Sequence, residues 1–267
     1  MPGSELIGEL EQQAVNDVFS SGGVLFAHGG DKIRQRYFVR EFEAKIVETF
    51  SSTYTQCVSS GSAALYCALK ALKIGPGDEV ITQSHNFIAT VEAIVLAGAT
   101  PIIAGIDDTL NLCPLSFKNL ISSRTKAVIP VHMLGVPCRM DKIWSIASEY
   151  KIPVVEDCCE AVGAKFDDEH VGTKSLMGVH SYDFGKNITT GEGGSVYTND
   201  NSIYERLRAI HDHGHAYERP TDRGNDPIRC PGFNFRMTEI SGSIGLAQIS
   251  RLDFIISENT NRYQVIL

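Results

Sequence analysis

Three short segments carry side chains suited to chemistry. Lys186 sits in Phe184-Gly185-Lys186-Asn187, after the apolar run Gly178–Phe184 and just ahead of the turn-rich Thr190-Gly191-Glu192-Gly193-Gly194. A lysine becomes a nucleophile towards aldehydes when burial or a neighbouring cation lowers its pKa from about 10.4, and small flanking residues permit close approach. In a solvated loop the same lysine is only a surface charge. Asp157 closes Pro153-Val154-Val155-Glu156-Asp157, a carboxylate at the carboxyl end of an expected buried parallel strand, where open α/β sheets bind ligands. It either pairs there with a protonated pyridine nitrogen or caps the next helix. Ser60-Gly61-Ser62 precedes a helical pattern, so free backbone NH groups and the helix dipole suit an anion such as phosphate. The same serines serve equally as a helix cap.

The elements that must position these residues alternate between short β-rich apolar runs and helical patterns from Cys57 onward, the signature of an α/β fold with a mainly parallel sheet covered by helices. Expected strands are Glu79–Thr82, Pro101–Ile106, Ala127–His132, Pro153–Glu156, Gly178–Phe184 and Gly194–Thr198. Expected helices are Ala63–Leu72, Ile88–Ala97, Asp141–Tyr150 and Ser202–His211. The segment up to Phe50 reads as mostly helical, broken at Ser21-Gly22-Gly23 and Gly29-Gly30. His213–Gly232 is polar and rich in Gly, Pro, Arg and Asp, which predicts a long loop.

Composition bounds the function. With 43% hydrophobic and 21% charged residues in 267, the chain has enough apolar material for one large core. No stretch reaches the roughly 18 apolar residues of a membrane helix, and Met1–Asp17 lacks a basic-then-apolar leader, so the expected location is cytoplasmic with no membrane partner. The net charge of -8 without a basic block argues against nucleic acid as a partner and for a small molecule. Seven scattered cysteines show no repeated short spacing, so neither a disulfide framework nor a zinc site is expected. The alternating His211-Asp212-His213-Gly214-His215 offers only weak metal ligation, and no metal is assigned.

Taken together, the motifs resemble those of the DegT-type nucleotide-sugar aminotransferases, fold-type I pyridoxal phosphate enzymes. The resemblance runs from about Val24 to Arg262. It rests on Val39-Arg40-Glu41-Phe42-Glu43, Ser60-Gly61-Ser62-Ala63-Ala64-Leu65, Gly75-Pro76-Gly77-Asp78-Glu79-Val80-Ile81 and Ser84-His85-Asn86-Phe87-Ile88-Ala89-Thr90. Further along it includes Gly98-Ala99-Thr100-Pro101, Val155-Glu156-Asp157, Ser181 to Asn187, Gly191-Glu192-Gly193-Gly194 and Gly232-Phe233-Asn234-Phe235-Arg236-Met237.

The resemblance implies a seven-stranded, mainly parallel sheet with helices on both faces. It divides the chain into an N-terminal helical segment (1–50), a pyridoxal phosphate-binding large domain (51–250) and, at 251–267, the start of a connection to a smaller C-terminal domain that is mostly missing. It implies that Lys186 holds pyridoxal 5'-phosphate as a Schiff base and moves the proton during transamination. Asp157 would partner the pyridine nitrogen, and Phe87 would stack on the ring. Gly61, Ser62 and Ser181 would bind the phosphate. Asn234 would reach that phosphate from the adjacent subunit, which implies a homodimer with shared active sites. Arg236 would hold a donor carboxylate or make an ordinary ion pair. At Glu160 the family more often has Gln or His beside the cofactor's phenolic oxygen; a carboxylate there is raised in pKa, turned away or a plain surface charge. The implied reaction moves an amino group from an amino acid, glutamate above all, to a nucleotide-linked keto sugar for amino-sugar and polysaccharide biosynthesis. A related branch that dehydrates sugars has histidine in place of the lysine. The competing expectation is a truncated, non-catalytic cofactor-binding remnant or scaffold.

Overall fold

The structure is a computed structural model that describes residues 2–218 and 222–266. Residues 219–221 of the expected long loop, and the outermost residues 1 and 267 of the expected segments, lie outside the described residues. Helices α1 (Glu9–Ser20) and α2 (Phe38–Phe50) precede strand β1 (Tyr54–Val58) and helix α3 (Gly61–Ala71). There follow β2 (Glu79–Gln83), α4 (Ile88–Leu96), β3 (Thr100–Ala104), α5 (Pro114–Asn119), β4 (Thr125–Ile129), α6 (Met140–Tyr150) and β5 (Val155–Asp157). A small hairpin, β6 (Lys165–Phe166) and β7 (Glu169–His170), leads to β8 (Met177–Ser181) and β9 (Gly194–Thr198). Helices α7 (Asn201–Ile210), α8 (Glu239–Ile249) and α9 (Leu252–Ile266) complete the described chain, in which no helix is long and apolar enough to cross a membrane.

The sheet has two hydrogen-bonded sections, β1-β9-β8-β5 and β3-β2-β4, joined by parallel bridges from Val128 to Val154 and Val131 to Asp157. In place of the expected single seven-stranded sheet, the ladders are one of four strands and one of three, linked by these isolated bridges. Within these sections β9 alone runs antiparallel to its neighbours; β2–β3, β2–β4 and β5–β8 are parallel. Successive side chains point to opposite faces, and here both faces are buried. Val80, Ala127 and Ile129 meet α3 and α4, while Ile81 and Val128 meet Phe117 of α5 and Ile143 of α6. That is why the central strands read as continuous apolar runs.

The expected strand set omits β1 and the β6–β7 hairpin, and the expected helix set omits α5, α8 and α9. In β1 the polar Thr55 and Gln56 mask the pattern, and in α8 the run Ser241-Gly242-Ser243 reads as a loop. Tertiary packing overrides that weak propensity. A Cβ on Gly242 would lie 2.7 Å from the Val39 nitrogen and one on Gly245 2.6 Å from the Phe42 ring, so the glycines let α2 seat directly on α8. Phe42, Ile46 and Phe50 of α2 share one core with Tyr182, Ile249, Leu252 and Ile255. The N-terminal helices and the start of α9 therefore belong to the core that supports the sheet.

Glu43 of α2 protects the exposed edge of β1. Its Oε1 accepts hydrogen bonds from the Cys57 backbone NH at 2.8 Å and from Gln56 Nε2 at 2.9 Å. Burial pushes its carboxyl from 4.5 up to about 7, against the lowering by the Cys57 NH, Arg40 and Arg208. A raised carboxyl favours folding most when protonated, so its contribution is full below about pH 4.5 and is lost as pH rises through about 7. Glu43→Gln keeps the accepting oxygen and removes the titration. Thermal melts of both proteins at pH 5 and pH 8 should show the variant gaining on the wild type with rising pH, by on the order of 2 kcal/mol. An equal difference at both pH values would contradict this.

Candidate active site

The ends of β1, β5 and β8 lie at the same carboxyl edge, because β1 and β8 both run antiparallel to β9 and β5 is parallel to β8. Beyond β1, Ser60 is extended and caps α3, its Oγ accepting from the Ala63 NH at 3.1 Å. The Gly61 and Ser62 amides have no acceptor among the described residues, so the helix start offers two free donors. Gly61 is tightly constrained: a Cβ there would lie 2.7 Å from the Ser181 Cβ. One on Gly194 would lie 2.5 Å from the Ser60 carbonyl. Glycine at both positions brings Ser181, at the end of β8, beside the start of α3.

Asp157 ends β5 and is only 3% exposed. Its Oδ2 accepts from the Thr90 hydroxyl at 2.7 Å, and its Oδ1 from the Cys159 NH at 3.1 Å. Each oxygen keeps a lone pair for a further donor. Burial, with Asp157 beside it, pushes the Cys159 thiol well above the usual cysteine range, so it stays neutral. Behind the strand, His132, Glu156 and Cys158 bring ligand-type atoms within 4.8 Å of one another. Hydrogen bonds tie this group into the fold: the Cys138 NH donates to His132 Nδ1 at 3.0 Å, His132 Nε2 meets Glu156 at 2.8 Å, and the Gly172 NH donates to Glu156 at 2.8 Å.

Lys186 lies in the loop between β8 and β9, and backbone bonds hold it. Its NH donates to the Asp183 carbonyl at 3.0 Å, and its own carbonyl accepts from the Gly3 NH at 2.8 Å. The next residue is anchored too, with Asn187 Nδ2 donating to the Val162 carbonyl at 2.8 Å. Lys186 Nζ lies 3.8 Å from Glu160 Oε1, and both side chains are about a fifth exposed. Glu160 is thus turned towards the lysine as an ion-pair partner. Phe87, just before α4, is 63% exposed, as is Phe184 at 68%.

Lys186, Asp157, Phe87, Gly61, Ser62, Ser181 and Glu160 all line one cavity of about 520 Å³. Asn234 is the expected site residue that lies elsewhere. It is exposed, bridges Asp212 through the backbone and accepts from the Arg236 NH at 3.3 Å. Arg236 pairs with the fully buried Asp212, which also binds Arg223 and the Tyr217 hydroxyl. Burial raises the Asp212 carboxyl, but the bonds from Arg223 and Tyr217 outweigh it and hold the group below the usual carboxylate range. Of the nearby histidines, His211 bonds the Arg208 carbonyl and His215 pairs with Asp226, so they do not converge as metal ligands.

Residues in the cavity that single-residue reasoning missed are Thr90, Cys159, Asp183, Phe184 and Glu192. One signal was available for Thr90: it stands three residues after Phe87 at the start of a helix, and that spacing puts both on one face.

The chain matches the model of the DegT/DnrJ/EryC1/StrS aminotransferase family over residues 6–266. It is 40% identical over 221 residues to the GDP-perosamine synthase of Escherichia coli O157:H7, covering 82% of this chain and 59% of that protein. It superposes on the aminotransferase from Psychrobacter cryohalolentis with a TM-score of 0.84 and 34% identity, covering 92% of this chain and 62% of that one. For E. coli GDP-4-keto-6-deoxy-D-mannose-3-dehydratase with bound hydrated PLP, the TM-score is 0.83 at 31% identity, covering 92% of this chain and 66% of that one. The chain thus spans about three-fifths of the length of the first two of these relatives. Sequence match, fold and the convergence of the motif residues agree: the chain belongs to the DegT/DnrJ/EryC1/StrS aminotransferase family.

Proposed function

We propose that this chain is the cofactor-holding part of a pyridoxal phosphate-dependent aminotransferase that moves an amino group from an amino acid, glutamate being the expected donor, to a nucleotide-linked keto sugar. The observation that carries this reading is the convergence of Lys186, Asp157, Phe87, Ser181 and the Gly61-Ser62 amides on one cavity. The similarity to a GDP-perosamine synthase supports the substrate class, and the PLP bound to the similar dehydratase supports the cofactor. A lysine at position 186, where the dehydrating branch has histidine, favours amino transfer.

The residues present fit the cofactor. Two unpaired amides and the Ser181 hydroxyl form a donor set for a phosphate, and the missing Gly61 side chain keeps that cradle open. Asp157, buried and oriented by Thr90 and Cys159, presents a carboxylate to a ring NH⁺. Phe87 offers an exposed aromatic face. Lys186 Nζ would be the amine that holds the cofactor's aldehyde and the base positioned to move a proton at the substrate carbon. Glu160 holds that Nζ on the cavity side of the loop. When bound, pyridoxal phosphate supplies the electron sink for the reaction. A second copy of the chain, contributing Asn234 to the phosphate, completes the proposed site, and the exposure of Asn234 supports this.

Glutamate added to the cofactor-loaded protein should bleach its visible absorbance band, and a screen of nucleotide keto sugars should then restore it and yield an amino sugar. A bound cofactor that stays indifferent to every amino-acid donor would overturn amino transfer and leave a binding protein.

A further inference from the structure

A second cavity, of about 570 Å³, opens at the edge of β1 between α2 and α7 and shares no lining residue with the cofactor cavity. Arg40 of α2 and Arg208 of α7 face it. Ring faces hold both guanidiniums. Arg40 lies 4.0 Å from the centroid of Tyr37, and Arg208 lies 4.5 Å from Tyr217 and 5.6 Å from Tyr204. Neither arginine makes a close ion pair with a carboxylate among the described residues, as Arg34, Arg223 and Arg236 do, although both act at longer range on the Glu43 carboxyl that lines the same cavity. A guanidinium stacked on a ring keeps its in-plane NH groups free, so one such fork from α2 and one from α7 line the same space.

The local charge is positive. Glu43, at the base of the cavity, spends its Oε1 on the β1 backbone and Gln56, and Asp212 is shared between Arg223 and Arg236. Burial first, and then the charges of Arg223 and Arg236, push the lining His28 below the usual histidine range. Two such forks, from two different helices, exceed what one planar carboxylate accepts bidentately, but they match a tetrahedral oxyanion with acceptors on several sides.

We infer that this cavity is a second binding site, for a phosphate-class anion gripped by Arg40 and Arg208. It is independent of the cofactor site and does not rest on the proposed reaction. The anion is either a free inorganic phosphate or the phosphate end of a larger molecule.

The test is calorimetric titration of the full chain, with and without pyridoxal phosphate, using inorganic phosphate, pyrophosphate and a nucleoside diphosphate as probes. Saturable binding of one equivalent per chain is expected in the cofactor-loaded protein, weakening as salt rises. Arg208→Ala and Arg40→Gln should each weaken it by about tenfold or more, the loss expected for one charge-assisted hydrogen bond, with the cofactor's absorbance unchanged. Arg40 is exposed on its helix, so its variant tests the site without endangering the fold. Tighter binding of the nucleoside diphosphate than of pyrophosphate supports a nucleotide occupant, and equal binding supports a free phosphate. Absence of saturable binding for all three probes, or binding that both variants leave unchanged, overturns the inference.

Discussion

Lys186→Ala is expected to leave the protein folded and unable to hold pyridoxal phosphate covalently. The loop has its shape from backbone bonds, Lys186 NH to the Asp183 carbonyl and the Gly3 NH to the Lys186 carbonyl, and alanine keeps both. The side chain contributes one partly exposed contact at 3.8 Å, to Glu160, a geometry worth little to stability. What disappears, on the proposed function, is the attacking amine and the proton carrier. Loss of a positioned general acid–base alone lowers rate by roughly 10²–10⁴-fold, and the missing covalent anchor adds to that. Spectra should show no protein-bound visible band. Borohydride reduction followed by peptide mass analysis should find the cofactor on Lys186 in the wild type and on no lysine in the variant, at a near-unchanged melting temperature. A cofactor reduced onto another lysine, or an undiminished transfer rate, would remove Lys186 from its role.

The second large effect is expected from Asp157→Asn. Asparagine has almost the same shape, and its oxygen can still accept from the Cys159 NH at the Oδ1 position. Its amide then faces the Thr90 hydroxyl, which turns to accept where it donated before. The fold should therefore survive. Only the charge is lost, and with it the charge-assisted bond proposed to a protonated ring nitrogen, worth about 1.5–3 kcal/mol. At about 1.4 kcal/mol per factor of ten, amino transfer and cofactor retention should fall by roughly ten- to a hundred-fold. Stopped-flow measurement of the glutamate-dependent bleaching, with equilibrium binding of the cofactor alongside, separates the two losses. A variant that matches wild type in both would show that Asp157 acts as a structural cap.

Much of the candidate site was legible residue by residue because its parts sit where chain pattern is informative. Asp157 ends an apolar strand, Gly61 and Ser62 open a helix, and Lys186 lies in the loop between two strands, whereas Ser181, inside the expected strand Gly178–Phe184, entered only through the resemblance. Glu160 was legible as a departure, but its partner was not: pairing with Lys186 needs the β5 and β8 loops to meet over the sheet. Thr90 was hidden for the same reason, since its bond to Asp157 spans 67 residues. The edge strand β1 and helix α8 escaped because their polar and glycine-rich stretches acquire regular structure only against α2.

By itself, then, the sequence determined the α/β alternation, the residues at strand ends and helix starts, and through its motifs the resemblance on which the chemistry rests. These are properties of backbone torsion preference and burial period, which act over a few residues. Only the tertiary structure decided that Gly3 braces the Lys186 loop, that Glu160 faces the lysine, that Asn234 stands apart from the cavity, and that Arg40 and Arg208 share a pocket. Those appositions join distant parts of the chain. They follow from which helix seats on which face of the sheet, and the packing of whole elements sets that.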